Sequence, residues 1–320
     1  MNIFARTATL TLFVCAGQVL AQAYPSKPIR IVVPFPAGGP SDVQARVIGQ
    51  KMGESLDQQV LVDNRPGANT IIGAEAVAKA PPDGHTLLMV IDSTLTMNPY
   101  LYRKLPYDPQ KDFAPISMTA WSPLILVVDG ATGPKSVKEL LQEARANPGK
   151  LSFGAGTITT QLAGELLKSA AGVNMVYVPY KGSPGTVQGL LSNDVKFIID
   201  GVTSSVPHIR SGKFRVLASL TARPIAALPN LASLATEAGL AGFDVAVWLG
   251  LVAPAGTPAE IVNKLSQEIA RILALPDVKE KHAAIGLDPA SNTPSEFTAF
   301  IRAEAERWGK TIKEAGIRLD

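Results

Sequence analysis

The chain has 320 residues, a formal net charge of +3 and one cysteine. So weak a charge balance, with no basic run and no aromatics interleaved among basic residues, argues against nucleic acid as a partner. Cys15 lies near the N-terminus, so the remainder forms no intrachain disulfide, and the length leaves room for about two domains stabilised by core burial.

Arg6 is followed by the apolar stretch Ala8 to Val14 and then by Ala21-Gln22-Ala23. A charged start, an apolar core too short to span a bilayer and an A-x-A end describe a secretory signal peptide, residues 1–23, cut after Ala23. Val14 precedes Cys15 where a lipoprotein signal carries a small residue, so the segment reads as cleaved rather than lipidated. Losing Arg6 lowers the formal charge from +3 to +2. Export without disulfides fits a bacterial periplasm. No later stretch reaches the roughly 18 uncharged apolar residues of a membrane helix.

Ile29 to Val33 reads as a buried strand, and Val43, Val47, Ile48 and Met52 share one helix face, so Pro34 to Asp42 is a strand-to-helix turn. Ser41 is placed to cap the helix with Gln44 completing a capping box, while Gly38 and Gly39 leave backbone N–H groups uncovered. Such a turn suits an anion; an ordinary tight connection fits the same residues. Val60 to Val62 follows as a strand, Asp63 to Thr70 as a polar loop, Ile71 to Ala80 as a helix and Thr86 to Ile91 as a strand ending at Asp92-Ser93-Thr94. This is a βαβαβ unit with helices on both faces of a parallel sheet.

Met97 to Asp112, rich in Pro and Tyr, reads as an ordered surface loop. Phe113 to Ala120 and Pro123 to Asp129 read as two extended segments, broken at Trp121-Ser122-Pro123, that cross into a second lobe. There Val137 to Ala146 is a helix and Leu151 to Phe153 a strand. Gly154 to Gln161 leads into a helix with Leu162, Leu166 and Leu167 inward; Asn174 to Val178 is a strand and Pro184 to Leu191 a helix. Val195 to Ile199 is a strand ending at Asp200, and Phe214 to Leu220 is one more. Val245 to Val252 reads as the return crossing, followed by helices over Ala259 to Leu273, near Val278 to Ile285, and over Pro294 to Ala315. The expected division is lobe 1 at 24–120 plus roughly 245–275 and lobe 2 at 121–244 plus roughly 276–320, with a hinge and a cleft between them.

Each lobe thus carries a turn suited to an anion, Gly38-Gly39 with Ser41 in one and Gly156-Thr157 with Thr159 in the other. Facing one cleft, they suit a carboxylate held by backbone N–H groups and hydroxyls. Asn69, Thr70, Ser93 and Thr94 end or follow elements on the side where doubly wound folds bind ligands, with loop hydrogen bonding as the alternative. Asp200 stands at the expected cleft edge, able to accept from a ligand hydroxyl or amine or simply to cap the next segment. Lys181 reads as an anion attractor or a solvated lysine, and Trp248 as a core or hinge residue. His85, His208 and His282 are far apart, with no metal spacing. There is no G-x-S-x-G elbow, and Pro134 spoils the phosphate-loop likeness of Gly130 to Ser136. No metal or cofactor is implied.

Tyr24 to Phe35 with Ala37-Gly38-Gly39 and Asp42, then Asp63 to Ala68, then Pro82-Asp83-Gly84-His85-Thr86-Leu87-Leu88, resemble the substrate-binding proteins of tripartite tricarboxylate transporters, the Bordetella uptake gene family. Leu105 to Asp108, Val178 to Gly182, Leu228-Pro229, Glu237 to Gly239, Trp248 to Leu251 and Ala253 to Pro258 continue the likeness over the mature chain. The resemblance implies an α/β, type II periplasmic binding protein fold: two doubly wound lobes joined by crossing strands, with a ligand cleft between them. It implies a periplasmic, monomeric receptor without catalysis, whose partners are a small carboxylate and membrane transporter subunits or a sensor domain. The candidate ligands are di- or tricarboxylates, acidic amino acids and aromatic carboxylates. It also implies that the ligand lies between Phe35 to Asp42 and Ala155 to Gln161, which adds Phe35, Ala37, Asp42, Ala155 and Gln161 to the candidates. Ile158 replaces the small residue usual in relatives and makes that side more apolar. A secreted hydrolase of esters or amides, using Ser or Thr at the same turns, is the enzymatic alternative; it lacks a plausible histidine base. A purely adhesive role leaves two facing anion turns unexplained.

Overall fold

The computed structural model describes residues 24–319; the expected signal peptide, with Arg6, Cys15 and Ala21 to Ala23, lies outside them. The chain opens with β1 (Ile29–Val33), α1 (Pro40–Leu56), β2 (Val60–Asn64), α2 (Ile71–Ala78) and β3 (Thr86–Ile91). β1 lies parallel to both neighbours, with Ile29 opposite Val60 of β2 and Arg30 opposite Thr86 of β3. Every β3 residue after Thr86 is buried, as a strand covered by helices on both sides requires.

The polar stretch beyond β3, expected as a loop from Met97 onward, is helical at its start. A π-helical turn, Ser93–Met97, runs directly into α3 (Asn98–Leu101). Asp92 nucleates it: its carboxylate accepts from Ser93 N–H at 2.8 Å and its carbonyl from Thr96 Oγ at 2.6 Å. These local bonds outweigh the loop-like composition.

β4 (Phe113–Asp129) is one strand of 17 residues rather than the two expected. Pro123 reads as a breaker because it has no N–H for the ladder. In the fold it sits where the neighbours change. β4 pairs with β9 up to Pro123 and with β7 and β8 from Leu124 or Ile125 onward. Register shifts at Pro115/Ser117, Met118/Ala120 and Leu126/Val127 mark bulges that let so long a strand bend.

The second lobe contains α4 (Val137–Ala146), β5 (Ser152–Ala155), α5 (Ile158–Ala171), β6 (Val176–Pro179), α6 (Gly182–Leu191), β7 (Phe197–Gly201), α7 (Val202–Arg210) and β8 (Phe214–Ser219). α7 escaped the sequence reading because it contains Pro207 and begins with β-branched residues. A short α8 (Leu234–Ala238) was also unread. β9 (Ala246–Pro254) then returns antiparallel to both β4 and β3. α9 (Ala259–Ala274), α10 (Pro276–Ile285), the two-residue β10 (Asp288–Pro289) and α11 (Pro294–Ala315) finish the chain.

The strand order is β2-β1-β3-β9-β4-β7-β5-β6, with β8 and β10 also on β4. β2-β1-β3 and β6-β5-β7 therefore repeat one arrangement, each with the strand that comes first in the sequence in the middle. In both, the central strand runs into a turn and a helix at the point where strand order reverses, the place doubly wound sheets offer to ligands. Trp248 is fully buried against Phe297 and Phe300 and is a core residue. α11 packs on the π-helical turn, β4, α3 and α9. Among the described residues no helix is long and apolar enough to cross a membrane.

Candidate functional site

The turn after β1 is built differently from the capping box its sequence suggests. Gly39, not Ser41, is the N-cap, Pro40 is the first helical residue, and no side chain caps α1. Gln44 turns away to Thr119 O, at 3.2 Å, and to His282. Asp42 closes the turn instead, accepting from Gly38 N–H at 2.9 Å and from Arg46 and Asn64. Burial opposes its charge, yet the Arg46 guanidinium, Gly38 N–H and Asn64 amide together hold its pKa below the usual range. Gly38 N–H is thus already used, contrary to the expectation that both glycines offer free donors. Gly39 N–H has no partner among the described residues.

The second-lobe turn does carry a capping box. Thr157 Oγ1 accepts from Thr160 N–H at 3.2 Å and Thr160 Oγ1 from Thr157 N–H at 3.1 Å. The N–H groups of Ile158 and Thr159 remain unbonded among the described residues. Gly156 admits no side chain, since a Cβ there would come within 2.5 Å of Gly182 backbone atoms. That close approach sets the α6 start against the α5 start.

The two turns face each other across a divided cleft. An inner chamber of about 40 Å³ is lined by Phe35, Gly39, Ser41, Thr157, Asp200 and neighbours, and an outer one of about 310 Å³ by Phe35, Asn69, Thr70, Ser93, Gly156, Thr157 and neighbours. The outer one reaches the size of a small-molecule site, whereas the inner one, with the lobes in contact, has room for a small group only. They adjoin, sharing Phe35, Pro36, Thr157 and Gly182. The lobes are in contact here: Thr159 Oγ1 donates to both Asp92 carboxylate oxygens, at 2.9 and 3.0 Å, and a Cβ added at Gly201 would lie 3.2 Å from Pro40 Cγ.

The outer chamber holds an unusual loop. Gly67, Ala68, Asn69 and Thr70 all have positive φ, at 135°, 45°, 48° and 77°. For a β-branched residue such as Thr70 this is a strained conformation. Asn98 holds it in place, its Nδ2 donating to Asn69 O at 2.9 Å and reaching Thr70 Oγ1 at 3.4 Å. Tyr107 OH in turn donates to Thr94 O at 2.7 Å. The N–H groups of Gly67 through Thr70 have no partner among the described residues, and consecutive donors in such a bend form an anion-binding concavity. Lys181 and Ile158 line the same chamber.

Several candidates stand outside both chambers. Ala37 is exposed, Ala155 is a buried strand end, and Gln161 bonds back to Thr157. Thr94 braces the π-helical turn, and Asp42 and Thr159 act through the bonds described. Sequence reasoning missed Ser122 and Leu124 on β4, Ser183 on α6 and Gly201. Ser183 and Gly201 follow strand ends of the second lobe, where the rule that leads to Asp200 also points.

Asp92 and Asp200 are the two carboxylates buried deepest at the cleft, 0 % and 2 % exposed. Burial pushes each pKa to about 7; hydrogen bonds from Ser93 N–H and Thr159 oppose this at Asp92, and from Ser183 and the Gly201 backbone at Asp200. Among the described residues no three His, Cys, Asp or Glu side chains gather as a metal site.

Two doubly wound lobes with a ligand-sized cleft between their strand ends define a type II periplasmic binding fold, the architecture of solute receptors. Residues 44–317 match the tripartite tricarboxylate transporter family receptor, TctC, and the chain belongs to that family. It is 42% identical over 295 residues to the UPF0065 protein of the tcbD-tcbE intergenic region of Pseudomonas sp. strain P51, covering 91% of this chain and 87% of that one. It is 36% identical to Protein BugT of Bordetella pertussis, strain Tohama I, over the full length of both. Rpa4515 of R. palustris, solved with adipate, superposes with a TM-score of 0.89 at 35% identity, over 92% of this chain and 99% of that one. MatC of Rhodopseudomonas palustris, with bound malate, gives 0.83 at 30%, over 90% and 100%. None of these relatives supports the hydrolase alternative. His85 packs on Tyr24, His208 on Phe214, and His282 bonds Val278 O and Gln44, all outside both chambers.

Proposed function

We propose that this receptor captures a small carboxylate in the periplasm by closing its lobes around it, and hands it to the membrane subunits of a tripartite transporter. The observation that carries the reading is the row of unpartnered N–H groups from Gly67 to Thr70 on a strained loop, facing the open α5 terminus across the cleft. Charge-assisted bonds from such donors are worth about 1.5–3 kcal/mol each, so two or three offset a carboxylate's lost hydration. Relatives solved with adipate and malate support carboxylate as the class. Export by cleavage after Ala23 and a monomeric state belong to the same reading, as does the absence of catalysis.

In this reading β4 and β9 form the hinge. In the same reading 294–315 goes with the first lobe, which the packing of α11 on α3, α9 and the π-helical turn supports. The test is a melting screen of the exported protein with dicarboxylates, tricarboxylates, acidic amino acids and aromatic carboxylates. Binding to the folded state alone raises stability by about 2.7 kcal/mol at a hundredfold excess over Kd. A panel in which no carboxylate raises the melting temperature refutes the proposal.

A further inference from the structure

We infer that the preferred ligand is a monocarboxylate with an apolar body and a hydroxyl or amino donor at its far end, and that Asp200 receives that donor. This rests on the reading of the cleft as a carboxylate receptor and narrows its substrate class. The carboxylate end belongs to the outer chamber, where the Gly67 to Thr70 N–H groups and Lys181 supply positive potential. The inner chamber differs in chemistry. Phe35, Ile91, Leu124, Val247 and Leu249 form much of its wall, so the far part of a ligand that enters it as the lobes separate gains by leaving water.

Asp200 is the one ionisable side chain lining this inner chamber. Ser183 Oγ donates to its Oδ1, whereas Oδ2 is buried with no hydrogen-bond partner among the described residues. A buried acceptor left without a donor is costly, so a ligand that supplies one is favoured over one that does not. Neither Lys, Arg nor His lines the chamber to offset a second ligand carboxylate. A diacid long enough to reach it sets like charges together once Asp200 is ionised, a repulsion that selects against it. The cleft is therefore asymmetric: the outer chamber carries Lys181 and a row of N–H donors, and the inner one, beside the Gly39 N–H and a few hydroxyls, carries a buried carboxylate and no cation.

Two matched series isolate the far end of the ligand: hexanoate, 6-hydroxyhexanoate and adipate, and benzoate, 4-hydroxybenzoate and terephthalate. Calorimetric titrations are run at pH 8, above the value near 7 to which burial pushes Asp200. In at least one series the hydroxy acid is expected to bind about tenfold tighter than either partner. In Asp200→Asn its advantage over the unsubstituted acid is expected to fall within about threefold. That ratio is read within one variant, so a general folding defect, which scales both ligands alike, does not mimic it; Ser183→Ala, which spares Oδ2, is expected to retain the preference. Hydroxy acids no better than their parents in both series, diacids binding tightest, or an unchanged ratio in Asp200→Asn each overturn this inference while leaving the carboxylate receptor intact. No binding by any of the six, with no hit in the wider carboxylate screen, overturns both readings.

Discussion

At the scale of single residues, Gly39 and Asp42 divide the work of the first turn. Asp42 ties down Gly38 N–H and, paired with Arg46, leaves little net charge of its own; Gly39 keeps its N–H free at the inner chamber. The glycines were legible as a turn, but their roles were not. Pro40 takes the first helical position, which moves the cap to Gly39 and strands Ser41 inside the helix. Gly39 has φ −84° and ψ 170°, open to any residue, and an added Cβ meets only Pro184 and Pro36 O, each at 3.9 Å. Gly39→Val is therefore expected to fold with a melting temperature close to the parent's and to lose about tenfold or more in ligand affinity, because the branched side chain covers the Gly39 N–H, narrows the inner chamber and crowds Pro184. Unchanged affinity in a titration would remove this turn from the grip.

Among elements, the α5 terminus does two things at once. Its capping box fixes Thr157 and Thr160, and Thr159, which lies within the box, reaches across to Asp92 at the end of β3. No local pattern announces that bond, since its partners are 67 positions apart and meet only when the lobes close. Thr159→Val keeps the shape and removes the donor, leaving Asp92 with Ser93 N–H alone. The expected cost is about 1–3 kcal/mol, seen as a lower melting temperature. Since the bond joins the lobes, a larger radius of gyration by small-angle scattering is expected too; an unchanged radius would show that closure does not depend on it. β4 teaches a related lesson. Its composition reads as two segments because Pro123 interrupts it, yet the exchange of neighbours at that residue removes the need for the missing N–H.

For the whole molecule, Asp92 and Asp200 set a pH dependence opposite in sign to that of a salt-bridged carboxylate. Burial raises each pKa to about 7 in the folded state, against roughly 3.9 unfolded. Below pH 4 both states hold the protons and stability from this source is intact. Between pH 4 and 7 only the unfolded chain releases them, so stability falls, by about 4 kcal/mol per group once both forms are ionised. Urea unfolding at pH 5 and pH 8 is expected to show this loss reduced in Asp92→Asn, whose Oδ1 still accepts from Thr159; an equal loss in parent and variant would exclude Asp92 as a source. Short-range chemistry determined what the sequence showed by itself. The apolar runs, glycine turns and helix caps located most strands and helices, the two similar lobes and the turns facing the cleft, because each depends on residues within a few positions of one another. Only the tertiary structure decided which turn donors stay free, which threonine joins the lobes, and that Asp200 keeps an unpartnered oxygen against an apolar wall. Those properties depend on burial and on partners from distant strands, and neither exists until the sheet brings them together.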